Sequence, residues 1–242
     1  MRRLWALLAS TSLVVIGIGC GAEAYETRLT RTIEDIKYKK KVDDNLMPPL
    51  VKSRLEEVSV FLRPPRSLTE TKTFQLAAID TEQFDSADSF LDAKAGWTLH
   101  VLTRIRHPKT AVTAKKKGPV AHGDYTKFTP DVIGIVGGVY NATDVITTQK
   151  PKTDVRKGNE FKHWTIASEG KSVQVYLLQK DPYKTALIFE YPSDQQASVI
   201  EKINLCLDNL VVGPNAKSMY QGGGEGVEAG PDAGAQAPAA AF

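Results

Sequence analysis

The sequence predicts an α+β fold in which helices cover an antiparallel sheet meander. Residues 161–167, 173–179 and 186–191 are apolar or alternating segments, and the turns between them are too short for parallel crossovers. A longer segment with a helical apolar stripe follows from Ser193. A meander followed by a covering helix is typical of the α+β class.

Residues 23–46 predict one long N-terminal helix. Tyr25, Leu29, Ile33 and Ile36 recur at helical spacing and form a thin apolar stripe among charged side chains. Such a helix either docks on a domain or acts as a charged spacer. The prolines that follow residue 47 end it, because proline disfavours helix in the residue before it.

The middle of the chain predicts a less regular series of elements. Residues 58–62 and 73–79 are strand candidates, residues 85–95 read as a short helix or an irregular segment, and residues 97–105 form a convincing strand. Residues 107–127 are rich in lysine and lack apolar periodicity. We expect them to form a solvated loop.

A helix start is predicted at Thr129, with Pro130 in its first turn and Asp131 placed favourably for the helix dipole. At the other end, residues 214–242 are dominated by Gly, Ala and Pro. This segment cannot bury enough apolar area to offset its ordering entropy, so it is predicted to be a disordered tail.

The first twenty residues have the layout of a secretory signal. Arg2 and Arg3 precede an apolar run over residues 4–18, and Gly19 and Cys20 follow. This end resembles the lipobox of bacterial lipoproteins, although Gly17 stands where the usual lipobox has Leu. The resemblance implies that signal peptidase II cuts before Cys20, and that Cys20 receives a diacylglyceryl thioether and an acyl group on its new amine.

Two other interpretations of this end remain open, an uncleaved transmembrane anchor and a plain signal peptide. A membrane span needs roughly 20 apolar residues, and this run is at or below that length. All three interpretations place the remaining chain outside the cytoplasm, on the periplasmic side or at the cell surface.

These patterns divide the chain into four parts. Residues 1–19 are the predicted lipoprotein signal peptide, and residues 20–49 are the lipid anchor and charged helix. Residues 50–213 form a single α+β domain, and residues 214–242 form the tail.

Chemical motifs are scarce. A formal net charge of +3, from 31 basic and 28 acidic residues, gives no electrostatic case for a nucleic-acid partner. No histidine has metal-ligand spacing, and no nucleophile elbow or glycine-rich phosphate loop is present. The sequence therefore predicts no catalytic, cofactor-binding or metal residue. We expect His100 to be half-exposed and Cys206 to be a small core residue.

Four segments resemble uncharacterised lipoproteins of planctomycete-like bacteria: residues 25–29, 62–65, 172–177 and 186–192. This resemblance implies no activity. The order of elements is also similar to PsbP-type and DcrB-type domains. Those domains are α/β sandwiches that mostly serve as binding or assembly modules, and several are lipid-anchored.

Together these observations predict a lipid-anchored extracytoplasmic protein that acts as a non-catalytic binding or assembly module of the cell envelope. Its expected partners are membrane lipid, through Cys20, and an envelope protein, and no cofactor is expected. The alternative is a carrier of a small ligand or lipid, with Trp97, Trp164 and Tyr176 lining a pocket between sheet and helices. A hydrolase with an unrecognised site is the third hypothesis.

Overall fold

The computed structural model describes residues 19–76, 79–106 and 123–220, and the chain divides into two compact units at Leu46. The first unit contains helix α1 (Gly19–Asn45), which confirms the predicted N-terminal helix. Its apolar stripe is solvent-exposed, since Tyr25 and Ile36 expose 66% and 61% of their surface.

The second unit is built on a seven-stranded antiparallel sheet, with strand order β2-β3-β4-β8-β7-β6-β5. A separate two-stranded ribbon pairs β1 with β9. The strands are β1 (Val60–Phe61), β2 (Thr69–Glu70), β3 (Ser86–Asp92), β4 (Trp97–Ile105), β5 (Lys152–Arg156), β6 (Asn159–Ser168), β7 (Lys171–Lys180), β8 (Tyr183–Pro192) and β9 (Val211–Val212).

Five helices accompany these strands in the second unit. They are α2 (Arg54–Glu57), α3 (Phe128–Val139), α4 (Thr143–Thr148), α5 (Gln196–Asp208) and α6 (Pro214–Tyr220). Short 3-10 turns lie at Thr81–Gln83, Tyr125–Lys127 and Ser193–Gln195.

The predicted meander is confirmed as strands β6, β7 and β8. The β6–β7 hairpin turns at Glu169 and Gly170, which both have positive φ, as a tight hairpin requires. In the next hairpin, Val175 of β7 lies opposite Ile188 of β8. The predicted strand at residues 97–105 is likewise confirmed as β4.

Helices cover both faces of the sheet. On one face, Val132 and Val136 of α3 belong to a core cluster with Val175 and Ile188. On the other face, α5 packs against β8 and buries an apolar side that includes Ile203. Burying such aliphatic side chains contributes about 1.5–3 kcal/mol each, so the two faces together hold the sandwich.

Residues 85–95 were expected to form a helix or an irregular segment, and this prediction is wrong. They contain β3, which pairs with β4 along its whole length, from Ser86 opposite Thr103 to Asp92 opposite Trp97. The serines and aspartates of β3 have low strand propensity, but pairing with a strongly apolar neighbour outweighs that preference.

The strand expected at residues 73–79 is also not observed in the part of that range that the structure describes. The strand here is the two-residue β2, which pairs with the end of β3. Beyond it, the Thr71 hydroxyl donates to the Thr73 carbonyl, and the backbone N–H of Gln75 donates to the Ser89 hydroxyl. These side-chain bonds take the place of a regular ladder.

The folded domain extends further than the predicted boundary at residue 213. Residues Pro214–Tyr220 form α6, and the Tyr220 hydroxyl donates to the Val60 carbonyl at 2.6 Å. Its ring also meets Phe61 edge-on at 5.1 Å. The remainder of the predicted tail, residues 221–242, lies outside the described residues.

The predicted loop at residues 107–127 lies outside the described residues as far as residue 122. Its described end contains the turn Tyr125–Lys127, and α3 then begins at Phe128. Thr129 therefore lies inside α3 and does not cap it, although Asp131 occupies the first turn as expected.

Arg104 is the largest charged group in the interior. Its side chain is fully buried, and its Nη1 donates to Asp131 Oδ2 and to the Asp124 carbonyl, both at 2.7 Å. Its Nε donates to the Gln83 carbonyl at 3.0 Å. The guanidinium also lies over the Phe84 ring. These bonds link β4 to α3 through Asp131, and to the two segments that contain Gln83 and Asp124.

His100 is buried, with 2% of its surface exposed, so the expectation of a half-exposed side chain is wrong. Both faces of β4 are covered, and His100 Nδ1 lies 2.8 Å from the Ser89 hydroxyl. The Phe74 ring packs against it edge-on. Burial lowers the pKa of His100 to about 4, although the Glu190 carboxylate opposes the shift.

This depressed pKa predicts a specific loss of stability in acid. Unfolding returns the His100 pKa to about 6.5, so the unfolded chain binds an extra proton between pH 6.5 and 4. The neutral His100 ring makes its full contribution to the free energy of unfolding above pH 6.5. Up to about 3 kcal/mol of that free energy is lost as the pH falls to 4. Urea unfolding at several pH values should show this slope in the wild type.

The matched variants are His100→Gln and His163→Gln. We expect His100→Gln to flatten the slope between pH 6.5 and 4, while His163→Gln, at a half-buried position, keeps most of it. An unchanged slope in His100→Gln would show that His100 is not the group responsible.

Candidate functional site

Cys20, the predicted lipidation site, is the second residue of α1. Helix α1 therefore continues directly from this cysteine, and its 27 residues span about 40 Å. The predicted leader up to residue 18 lies outside the described residues. Among the described residues, no helix is both long enough and apolar enough to span a membrane.

The aromatic residues suggested for a carrier pocket do not come together. Trp97, Trp164 and Tyr176 are all buried in the core. Trp164 packs in the cluster beneath α3, whereas the register of the sheet places Trp97 and Tyr176 on the opposite face. A pocket between sheet and helices lined by these three side chains is therefore not observed.

Cys206 lies in the core, as predicted. Burial raises the pKa of its thiol far above the usual range, so the thiol stays protonated at neutral pH. His163 stacks on the Tyr176 ring at 4.3 Å. His107 and His122 lie outside the described residues. Across the described ranges, no group of three or more His, Cys, Asp or Glu side chains is arranged to hold a metal ion.

A cavity of about 720 Å³ opens beside the edge of the sheet in the second unit. Its charged lining residues are Arg54, Glu70, Lys72 and Asp88. Glu70 ends β2, Asp88 lies in the middle of β3, and Arg54 begins α2. The Ser53 hydroxyl caps α2 by accepting from the Glu56 amide, which fixes the start of that helix.

Both carboxyl groups of this edge cavity have pKa values raised above the ordinary ones. Burial raises the pKa of Asp88, while a hydrogen bond from the Ser86 hydroxyl and the charge of Arg54 partly offset the rise. Burial also raises the pKa of Glu70, and the negative charge of Asp88 adds to that rise. The two carboxyl groups therefore interact electrostatically across the cavity.

This arrangement suits the binding of a polar group. A carboxyl pair with raised pKa values accepts hydrogen bonds or a cationic group, and Arg54 supplies a donor beside it. Among the residues that line this cavity there is no histidine or cysteine. The nearest aromatic side chain is that of Phe74, which gives the cavity an apolar wall.

The sequence did not reveal the edge cavity. Glu70 and Asp88 are 18 residues apart, and both lie in segments whose strands were predicted elsewhere or not at all. The one available signal was a pair of acidic residues inside otherwise small or apolar segments. That signal has no meaning until β2 and β3 are known to pair.

The solved structures that are similar to this chain include two at low identity. The solution structure of cyanobacterial PsbP (CyanoP) from Synechocystis sp. PCC 6803 gives a TM-score of 0.41 at 9% identity, and the alignment covers 70% of this chain and 93% of that chain. A crystal structure from Bacteroides thetaiotaomicron VPI-5482 gives a TM-score of 0.38 at 6% identity, and the alignment covers 64% of this chain and 45% of that chain. The chain matches no protein-family model and no curated protein. A PsbP is thus among the structures similar to this chain, and neither likeness assigns a family.

Proposed function

We propose that this chain is a lipid-anchored extracytoplasmic module that binds an envelope partner without catalysing a reaction. The observation that carries the proposal is the junction at Cys20. A charged and apolar leader precedes this cysteine, two small residues flank it, and helix α1 continues from it. In this proposal α1 connects the lipid anchor to the α+β domain in sequence.

The character of the edge cavity supports binding. Glu70, Asp88 and Arg54 offer hydrogen-bonding and charged groups to a partner. A cavity of about 720 Å³ is large enough to take a side chain or loop of a partner protein. We infer that this cavity is where the partner is recognised.

Crosslinking in living cells, followed by mass spectrometry of what the tagged chain captures, tests the proposal. We expect a reproducible envelope protein to be captured by the wild type. Capture should fall at least tenfold in Cys20→Ala, because the unanchored chain is no longer held at the membrane. Glu70→Gln should weaken capture as well, since it removes one charge from the edge cavity.

The matched control for Glu70→Gln is Glu82→Gln, which changes an exposed carboxylate near the cavity that does not line it. Circular dichroism of each variant establishes that it is folded. Recovery of the same abundant background proteins from the wild type and Cys20→Ala would contradict the proposal.

The alternative is a carrier of a small polar ligand, and the volume of the edge cavity favours it. Native mass spectrometry of the freshly purified chain separates the two functions. A co-purified small molecule that is kept in Glu82→Gln and lost in Glu70→Gln would establish the carrier. A bare protein mass would count against it.

A further inference from the structure

A second cavity of about 430 Å³ lies where β4 ends and the β7–β8 hairpin turns. None of its lining residues belongs to the edge cavity. Its lining consists of Arg106, Tyr125, Thr126, Gln179, Asp181 and Lys184. The Arg106 amide donates to the Pro182 carbonyl at 2.8 Å, which holds the end of β4 against the hairpin turn.

Lys184 is a cation of this cavity that forms no ion pair with a carboxylate of the described residues. Its Nζ donates to the Tyr125 carbonyl at 2.9 Å and lies 4.2 Å from the centre of the Tyr125 ring. Among the described residues, no carboxylate lies within ion-pair distance of it. Burial lowers the pKa of Lys184, the positive charges of Arg106 and Arg104 lower it further, and the carboxylates of Asp124 and Asp181 partly oppose the shift. The ammonium group therefore sits in surroundings that favour an anion.

The carboxylate in this cavity is already engaged by other groups. Asp181 Oδ1 lies 2.8 Å from Arg106 Nη2 and accepts a hydrogen bond from the Tyr125 hydroxyl at 3.1 Å. The guanidinium of Arg106 also lies over the Tyr125 ring, 4.6 Å from its centre. Asp181 thus pairs directly with Arg106 and acts on Lys184 only at longer range.

The donors that remain match a phosphoryl group. Lys184 uses one of its three N–H donors in the hydrogen bond to Tyr125, and Arg106, which is 56% exposed, contacts Asp181 through both Nη atoms, each of which carries a second N–H. Two cations beside one cavity suit a phosphate, which offers several oxygens, better than they suit a carboxylate, which offers two. Gln179 adds an amide donor, although one of its N–H groups already bonds the Thr129 hydroxyl.

We propose that this cavity, centred on Lys184, is a binding site for a phosphate-bearing anion. The bound phosphoryl group accepts hydrogen bonds from Lys184 Nζ and Arg106, and Asp181 opposes it from the same cavity. The affinity is therefore moderate and falls with added salt. The site is independent of the lipid anchor, so it stands or fails separately from the proposed function.

Isothermal titration calorimetry with the full chain in a non-ionic detergent tests the site. The two probes are inorganic phosphate and dihexanoyl phosphatidylglycerol below its micelle concentration. We expect saturable binding that weakens at least tenfold in Lys184→Gln, because a charge-assisted donor is lost. Asp181→Asn should tighten binding several-fold, since it removes the opposing charge. Lys180→Gln, at an exposed lysine of the same hairpin, should leave binding unchanged.

The two probes separate the possible sources of the phosphoryl group. Equal binding of both probes identifies a general phosphate site, and binding of the short lipid alone identifies a headgroup site. Should Lys184→Gln fail to fold, Arg106→Gln, at an exposed position, provides the same test. The proposal is overturned if neither probe binds, or if folded Lys184→Gln binds as tightly as the wild type.

Discussion

The buried guanidinium of Arg104 is the constraint on which much of the domain depends. A buried charge is tolerated only when it is paired and hydrogen-bonded, and removing one partner typically costs about 3–5 kcal/mol. Asp131, the Asp124 carbonyl and the Gln83 carbonyl pair the charge and accept from Nε and Nη1, while Nη2 has no hydrogen-bond partner among the described residues. The position of α3, the start of the segment before it and the turn before β3 are therefore all fixed to β4.

The same constraint explains a glycine. A Cβ at Gly123 would lie 2.9 Å from Arg104 Cζ and 2.3 Å from the Gln83 carbonyl oxygen, closer than any side chain could approach without a shift. The backbone passes directly against the guanidinium at this point. The edge cavity has a carboxyl pair beside two cations, and the second cavity has two cations beside one carboxylate, so the domain offers two separate charged surfaces.

The sequence predicted the elements whose signals are local. Alternation of Val173, Val175 and Leu177 with a tight turn was enough for the meander, and the run from Trp97 to Ile105 was enough for β4. Strand β3 was not predicted, because Ser86, Asp88 and Ser89 have no strand preference of their own. Helix α6 was not predicted, because its stability comes from contacts with β1, which is distant in the sequence.

The binding residues could not be predicted from sequence for the same reason. Glu70 meets Asp88 through the pairing of β2 with β3, and Lys184 meets Tyr125 across 59 residues of chain. Neither pair has a characteristic spacing. Cys20 differs because it stands at the end of a contiguous pattern of charge, apolar run and small residues, and its lipidation stays a prediction.

The mass of the N-terminal peptide is the most direct test of the central proposal. The chain would be expressed in a bacterium, extracted from its membranes and digested, and the peptide that contains Cys20 would be analysed by mass spectrometry. We predict a chain that begins at Cys20 and carries a diacylglyceryl group on its sulfur. A peptide that retains residues before Cys20, or one that begins at an unmodified residue, would contradict the lipid anchor.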